Sequence, residues 1–235
     1  MTLAATLLAL VTSAHAYSFL EGDTGVDLHW PANDAPVFLY LNPTNDLGLP
    51  EDAVEEALLD AIDTWNGTNA SISFAYEGRS DNSENAADQC NLVWFDGEWA
   101  DDTGLVAKAF TGVQADEFIV TADIAINTAD YDWVLDGTGD GLDLQSVLTH
   151  ELGHTLGLDH SEDALATMYG TGGPGETHKR SLRTDDIEAI LALYPRSGEV
   201  ACSSVAPSHI APLALLLALP TFLLRRRNPL KGARA

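Results

Sequence analysis

The spacing of apolar residues along the 235-residue chain predicts helices at three places, with short strands before and between them. The first helix follows Pro50, because apolar residues recur there every three or four positions and would form one buried stripe. That stripe consists of Val54, Leu58, Ala61, Ile62 and Trp65. Acidic residues lie on or near the other face, and Gly67 ends the pattern. The helix is therefore expected to bury one side and to expose the other.

Strands are predicted where short apolar or alternating runs are bounded by turn residues. The expected strands lie at 37–41, 72–76, 92–95, 106–110 and 118–127. The last segment, FIVTADIAIN, alternates and is rich in β-branched residues. No internal repeat interrupts this order, so one domain is the simplest organisation.

Two further helices follow the strands. The second begins after an Asp- and Gly-rich loop at 136–143, with Asp143 as its N-cap. Its expected buried stripe is Leu144, Val147, Leu148 and Leu152. The third begins near Thr184, buries Ile187, Ile190, Leu191 and Tyr194, and stops at Pro195. This order of elements predicts an α+β domain with a mostly contiguous sheet.

The second helix carries the residues that point to chemistry, in the segment THELGHTLGLDHS at 149–161. His150 and His154 are four residues apart, so their imidazoles leave the same face of a helix and can bind one cation. Gly157 lets the chain leave the helix through a conformation that a Cβ would oppose, and this reversal would bring His160 round as a third ligand. Glu151 follows the first ligand, His150, and its carboxylate could reach a metal-bound water without itself binding the metal.

Three neutral imidazoles with one open position are typical of a catalytic zinc, since a structural site closes with a fourth protein ligand. The metal would activate a water molecule, and Glu151 would act as general base and then return the proton to the leaving amine. We therefore predict His150, His154 and His160 as metal ligands and Glu151 as the catalytic residue. A structural metal site and surface histidines are the alternatives.

These residues resemble the metzincin metallopeptidases, whose pattern H-E-x-x-H-x-x-G-x-x-H is matched from His150 to His160. Metzincins also place a methionine in a tight turn beneath the zinc, and Met168 in ALATMYG stands near the expected position. Ser161 after the third histidine and the Met-Tyr pair are more similar to the matrixin branch than to the astacins, adamalysins or serralysins, and a bacterial matrixin is expected. The likeness extends over roughly 36–196. Gly157 and Met168 are thus expected to give structural support to the site.

The resemblance implies a twisted, mixed sheet of about five strands, three helices, and a cleft beneath an edge strand formed near 106–110. It implies a monomeric zinc endopeptidase that acts on protein or peptide substrates and hydrolyses peptide bonds through a zinc-activated water. Two other functions stay open: a zinc-containing surface binding module without peptidase activity, and a zinc amidase that acts on a cell-wall substrate.

Both ends of the chain resemble targeting segments. Residues 1–16 combine an apolar run with Ala14-His15-Ala16, the pattern of a secretory signal peptide cleaved before Tyr17. The predicted catalytic domain then spans 17–196, followed by a linker at 197–209 that contains Cys202. Residues 210–235 hold a short apolar segment and an arginine cluster, which would orient a transmembrane segment. This arrangement is similar to the C-terminal sorting signals of myxobacterial surface proteins, with processing near Cys202; a plain membrane anchor is the alternative. Either places the domain outside the cytoplasm, secreted or anchored at the cell surface or outer membrane.

Charge narrows the range of partners. The whole chain carries a formal charge of −25, whereas residues 17–200 hold six basic and 36 acidic side chains and carry −30. A domain with this negative charge repels phosphate backbones, which excludes nucleic acid as a partner. Cys90 is either a buried thiol or paired with Cys202.

Calcium is a second cofactor to be considered, because the loop at 136–143 is rich in acidic residues. The EF-hand template fails there, since its twelfth position is Val147 rather than Glu. Other oxygen donors are Asp96, Asp101, Asp102, Asp116 and Glu117. Calcium binding and a merely acidic turn both remain open.

Overall fold

The computed structural model describes residues 15–83, 90–100 and 104–196. These residues form a five-stranded mixed sheet, three α-helices, a small two-stranded sheet and one 3-10 turn. The predicted α+β class is therefore confirmed. The signal peptide up to residue 14, the linker with Cys202 and the segment 210–235 lie outside the described residues.

The large sheet contains β1 (Val37–Leu41), β2 (Phe74–Arg79), β3 (Asn91–Asp96), β4 (Ala107–Gln114) and β5 (Phe118–Asn127). Their spatial order is β2-β1-β3-β5-β4, and only β4 runs antiparallel to its neighbour. As expected, β4 is an edge strand. It continues to Gln114, beyond the predicted end at 110, because it pairs along its whole length with β5.

The helices are α1 (Glu51–Asn66), α2 (Leu144–Thr155) and α3 (Thr184–Leu193). Their apolar residues join one face of the sheet in the main core, in which Leu39, Leu58, Ile124 and Leu152 are fully buried. A smaller cluster, centred on Trp94, covers the other face. Leu144, Leu148 and Leu152 of α2 belong to this core, so the burial of their side chains holds the helix against the sheet.

The structure differs from the sequence prediction at several places. The second strand begins at Phe74 and continues to Arg79, where the prediction had 72–76. Val147 is only half-buried, because it packs at the margin of the core and also lines a cleft. Ile187 and Leu191 of α3 are also half-buried, whereas Ala189 and Ile190 are buried.

Short elements surround the start of α2 and were not predicted. Strands β6 (Trp133–Val134) and β7 (Leu142–Asp143) pair in parallel directly before the helix. A 3-10 turn, η1 (His178–Arg180), packs near α2. Asp143 is the N-cap of α2 as expected, and its side chain accepts a hydrogen bond from the backbone N–H of Ser146 at 2.9 Å.

Candidate metal centre

The imidazole rings of the three predicted histidines converge at the C-terminal half of α2. The Nε2 atom of His154 lies 3.2 Å from Nε2 of His150 and 3.2 Å from Nε2 of His160. One ring nitrogen from each residue lies within 4.8 Å of the other two. Among the residues that the structure describes, this group could hold a metal ion.

Backbone carbonyls hold two of the rings in the orientation that a metal ligand needs. His150 Nδ1 lies 2.7 Å from the carbonyl oxygen of Thr167, and His154 Nδ1 lies 2.8 Å from that of Leu158. Because a carbonyl oxygen only accepts, each Nδ1 carries the hydrogen and each Nε2 keeps its lone pair. Burial lowers the pKa of His150 well below its usual value and that of His154 to about 4. Both rings are thus neutral at pH 7, and the donor set fits zinc.

Gly157 makes the turn that carries the chain from α2 to His160. Its φ is +94°, a left-handed backbone conformation that residues with a Cβ rarely adopt. A Cβ at this position would also lie 2.2 Å from the carbonyl oxygen of Leu28. The sequence prediction named the turn correctly, and the structure adds the close approach of a second segment.

The N-terminal segment 16–20 runs beside the segment that carries the third histidine. Asp159 donates its backbone N–H to the carbonyl of Ser18 at 2.9 Å, and Leu20 donates to Gly157 at 2.9 Å. The Ser18 hydroxyl donates to the backbone carbonyl of His160 at 2.8 Å. These contacts connect the segment that carries His160 to a distant part of the chain, and the sequence contained no signal for them.

Met168 packs against α2, the helix that carries two of the histidines, and it is 1% exposed. It packs against Gly153, because a Cβ on Gly153 would lie 2.2 Å from Met168 Sδ and 2.9 Å from Cζ2 of Trp65. Trp65 in turn donates its indole N–H to the carbonyl of Thr149 at 2.8 Å. Residues 164–170, which contain Met168, are called the methionine turn below. Because this turn packs so closely against α2, Gly153 must lack a side chain.

Asp186 in the first turn of α3 anchors the methionine turn, and sequence reasoning did not single it out. The residue is 1% exposed, and its carboxylate accepts backbone hydrogen bonds from Thr167, Met168 and Arg183 at 2.8, 2.9 and 2.8 Å. An acidic residue in the first turn of a predicted helix is an ordinary N-terminal feature, so its distant partners were not visible from the sequence.

Glu151 is buried between α2 and the edge strand. The backbone N–H of Ala109 in β4 donates to its carboxylate. Burial raises the pKa of Glu151 to about 7, while this hydrogen bond and the ammonium of Lys179 act in the opposite direction. A carboxyl group with a pKa near neutrality can accept and release a proton at physiological pH.

A cleft of about 480 Å³ adjoins the three histidines. Its walls come from the edge strand near 104–111, the exposed side of α2, and the glycine-rich segment 170–173. Val147, His150 and Glu151 line one wall, and Glu176 and Lys179 line another. Gly170 allows the glycine-rich wall to approach His160, because a Cβ there would lie 2.8 Å from the ring Nδ1.

The family model described as matrixin, Peptidase_M10, matches residues 29–195. The chain belongs to the matrixin family. Matrixins are zinc metalloendopeptidases, so this membership agrees with the donor set of the three histidines and confirms the resemblance drawn from the motif.

Individual relatives show the same likeness over shorter or longer stretches. Metalloendoproteinase 2-MMP of Arabidopsis thaliana is 30% identical over 193 residues, which is 78% of this chain and 47% of the relative. Human neutrophil collagenase is 32% identical over 156 residues, or 62% of this chain and 30% of the relative. Human matrilysin is 46% identical over 59 residues, which is 25% of this chain and 22% of the relative. This matrixin thus spans between about a fifth and a half of the length of these curated relatives.

Three of the acidic residues considered for calcium make hydrogen bonds to other protein groups in this matrixin. Asp136 accepts from the backbone N–H and the hydroxyl of Thr138, and Asp116 accepts from the backbone N–H groups of Asp23 and Thr24. Asp143 pairs with Arg180. Asp101 and Asp102 lie outside the described residues.

The remaining predictions on the chain ends and cysteines are only partly covered. Cys90 is half-buried just before β3, and its suggested partner Cys202 lies outside the described residues. Within the described part of the chain, no helix is long and apolar enough to cross a membrane.

Proposed function

We propose that this matrixin is a zinc-dependent endopeptidase in which His150, His154 and His160 hold the metal and Glu151 is the general base. The observation that carries the proposal is the joint placement of these four side chains at one cleft beneath an edge strand. Gly157 and Met168 support this arrangement by turning the chain and by packing under α2.

Zinc, when bound, supplies a Lewis acid that polarises a substrate carbonyl and makes a water molecule a better nucleophile. Glu151 accepts the proton of the attacking water and delivers it to the amine that leaves. The Ala109 N–H keeps the Glu151 carboxylate turned toward the edge strand. Glu151 is therefore held at the edge strand along which a substrate would lie.

An extended peptide is the substrate shape that fits the cleft. Strand β4 ends the sheet, so one of its sides has no partner strand among the described residues. A peptide that adds to this side would form backbone hydrogen bonds and pass the histidines with its side chains alternating between the cleft and solvent. Protein or peptide substrates are therefore proposed.

We further propose that the protein acts outside the cytoplasm, on the basis of its two terminal segments. The support is the Ala14-His15-Ala16 pattern, the apolar segment at 210–224 and the arginines that follow it. The intact mass of the extracellular protein tests both ends. A form that begins at Tyr17 supports secretion, and a form that keeps residues 1–16 contradicts it.

Replacement of Glu151 tests the mechanism. The Glu151→Ala and Glu151→Gln variants should lose about 10²-fold to 10⁴-fold in kcat on casein or a peptide library while one zinc per chain stays bound. Glu188→Gln, which changes an exposed carboxylate of α3, is the matched control and should retain wild-type activity. Cleavage by Glu151→Ala at the wild-type rate would contradict the role of Glu151.

A further inference from the structure

Lys179 places a buried positive charge in the wall of the cleft. The residue is 7% exposed, belongs to the 3-10 turn η1 and lines the same cleft as His150 and Glu151. Its ammonium donates a hydrogen bond to the carbonyl oxygen of Tyr169. No carboxylate oxygen of the described residues lies within 4.0 Å of its Nζ atom. An ammonium has three hydrogens, so it retains capacity for further acceptors.

The nearby carboxylate of Glu176 is already occupied by other partners. Its Oε1 atom lies 2.7 Å from His178 Nδ1, and its Oε2 atom accepts from the backbone N–H of Gly173 at 3.0 Å. Glu176 therefore holds the glycine-rich wall in place. Of the two charged side chains in this wall, Lys179 is the one that can still bind a ligand group.

The glycine-rich segment leaves the ammonium close to the cleft. A Cβ on Gly172 would lie 3.8 Å from Lys179 Nζ and 3.6 Å from Glu176 Oε2, so the backbone at 172 covers these groups with no side chain of its own. Burial lowers the pKa of Lys179, because the ammonium gives up water, although Glu176, Glu151 and Asp186 act in the opposite direction. An acceptor oxygen supplied by a ligand would replace part of the lost hydration.

We propose that Lys179 determines substrate specificity: it selects a substrate whose side chain enters the cleft and ends in a carboxylate, above all glutamate. The inference rests on the proposed peptidase function, because the substrate must lie across the histidines for its neighbouring side chain to reach the cleft. A hydrogen bond between an ammonium and a carboxylate is about twice as strong as a neutral one, so glutamine should rank second and leucine third.

The acidic exterior of the domain opposes this selection only at long range. The net charge of −30 on residues 17–200 repels an acidic peptide as it approaches. Salt screens this repulsion over about 8 Å at 0.15 M, whereas a contact with Lys179 inside the cleft is screened much less. The preference for glutamate over leucine should therefore persist, or increase, as NaCl is added.

Peptides that differ at one position test the proposal. The mature protein, with zinc bound, is assayed on peptides that carry Glu, Gln, Leu or Lys at each position flanking the cleaved bond. At one position the wild type should show kcat/KM for Glu at least about tenfold above that for Leu. Lys179→Met should invert this order, and Lys179→Arg should keep it. Arg196→Met removes a cation outside the cleft and should leave the order unchanged.

Several outcomes would overturn the proposal. A wild type that cleaves the Leu peptides as fast as the Glu peptides at every position contradicts it, whether or not the Lys179 variants fold. If Lys179→Met lowers kcat/KM for all peptides by the same factor, Lys179 does not select among substrates and only supports the backbone at Tyr169. If the wild type cleaves no peptide and no protein, the peptidase function itself fails, which is a distinct result. Thermal unfolding and zinc content of each variant establish that it is folded.

Discussion

The carboxylate of Asp186 accepts a hydrogen bond of 2.9 Å from the backbone N–H of Met168. The same carboxylate accepts from Thr167, whose carbonyl oxygen in turn contacts Nδ1 of His150. A residue in the first turn of α3 is thus connected through two backbone groups to the first proposed metal ligand. The methionine turn is held from both sides, by Asp186 and by the underside of α2.

Loss of this carboxylate should weaken both the fold and the metal site. In Asp186→Asn an amide N–H₂ replaces one acceptor oxygen and faces backbone donors in a buried place, which costs about 1–3 kcal/mol in the free energy of unfolding. Zinc affinity should fall by roughly tenfold, because His150 loses part of its support. Denaturant unfolding and zinc titration measure the two effects. Glu188→Gln on the same helix should change neither, and an Asp186→Asn protein as stable as wild type contradicts the link.

The contact between Gly153 and Met168 predicts an unusual effect of a helical glycine. Gly→Ala inside an exposed helix stabilises by up to about 1 kcal/mol. At Gly153 the new methyl would meet Met168 Sδ and Trp65, so Gly153→Ala should instead destabilise by about 1–3 kcal/mol. The penalty should shrink in a Met168→Ala background, since the closest atom is then gone. A penalty of equal size in both backgrounds would show that Met168 is not its cause.

Two glycines that flank the site should respond differently to alanine. Gly157→Ala forces a Cβ into a left-handed conformation and toward the Leu28 carbonyl, which should cost about 2 kcal/mol or more. At Gly173 a Cβ would meet no atom within 4 Å. Gly173→Ala is thus the matched control and should shift the unfolding midpoint little. Equal shifts in the two variants would contradict the special role of the turn at 157.

The start of α2 depends on an ion pair between Asp143 and Arg180. Asp143 has a fully buried side chain that caps α2, and Arg180 Nε donates to its Oδ1 at 2.8 Å. Arg180→Met leaves the carboxylate buried without its cation and should destabilise by about 3 kcal/mol. The double variant with Asp143→Asn should recover part of this loss, because no charge then remains buried. Additive losses in urea unfolding would show that the two residues do not interact.

Removal of zinc should lower thermal stability. A metal that binds only the folded protein stabilises it by about 2.7 kcal/mol when free zinc is a hundred times the Kd. The Tm should therefore drop with a chelator and recover with added zinc. His154→Ala should abolish this response, whereas His29→Ala, a histidine outside the cluster, should keep it. A wild-type Tm that is insensitive to chelation contradicts the proposed centre.

Periodic patterns predicted the elements that position the site. The stripe around Leu58 and the alternation of 118–127 have the periods of a helix and a strand, and both appear with nearly the predicted bounds. The spacing from His150 to His160 predicted a convergent cluster, because it depends only on one helix and one turn. These properties are local, so the order of residues along the chain is enough to reveal them.

Contacts between distant segments were not predictable from the same patterns. Asp186 reaches Met168 across 18 residues, and Lys179 enters the cleft from a turn that has no periodic signal. Val147 has the spacing of a core residue, but it lies at the margin of the core and also lines the cleft. Such placements follow from how the packed elements meet in space.

The sequence by itself therefore determined the α+β class, the family and the histidine cluster, since each rests on residues close together along the chain. Only the tertiary structure decided what supports the cluster and what charge the cleft presents. Asp186, Gly153 and Lys179 acquire their roles from long-range packing, in which a carboxylate, a missing Cβ or an ammonium meets groups contributed by other elements.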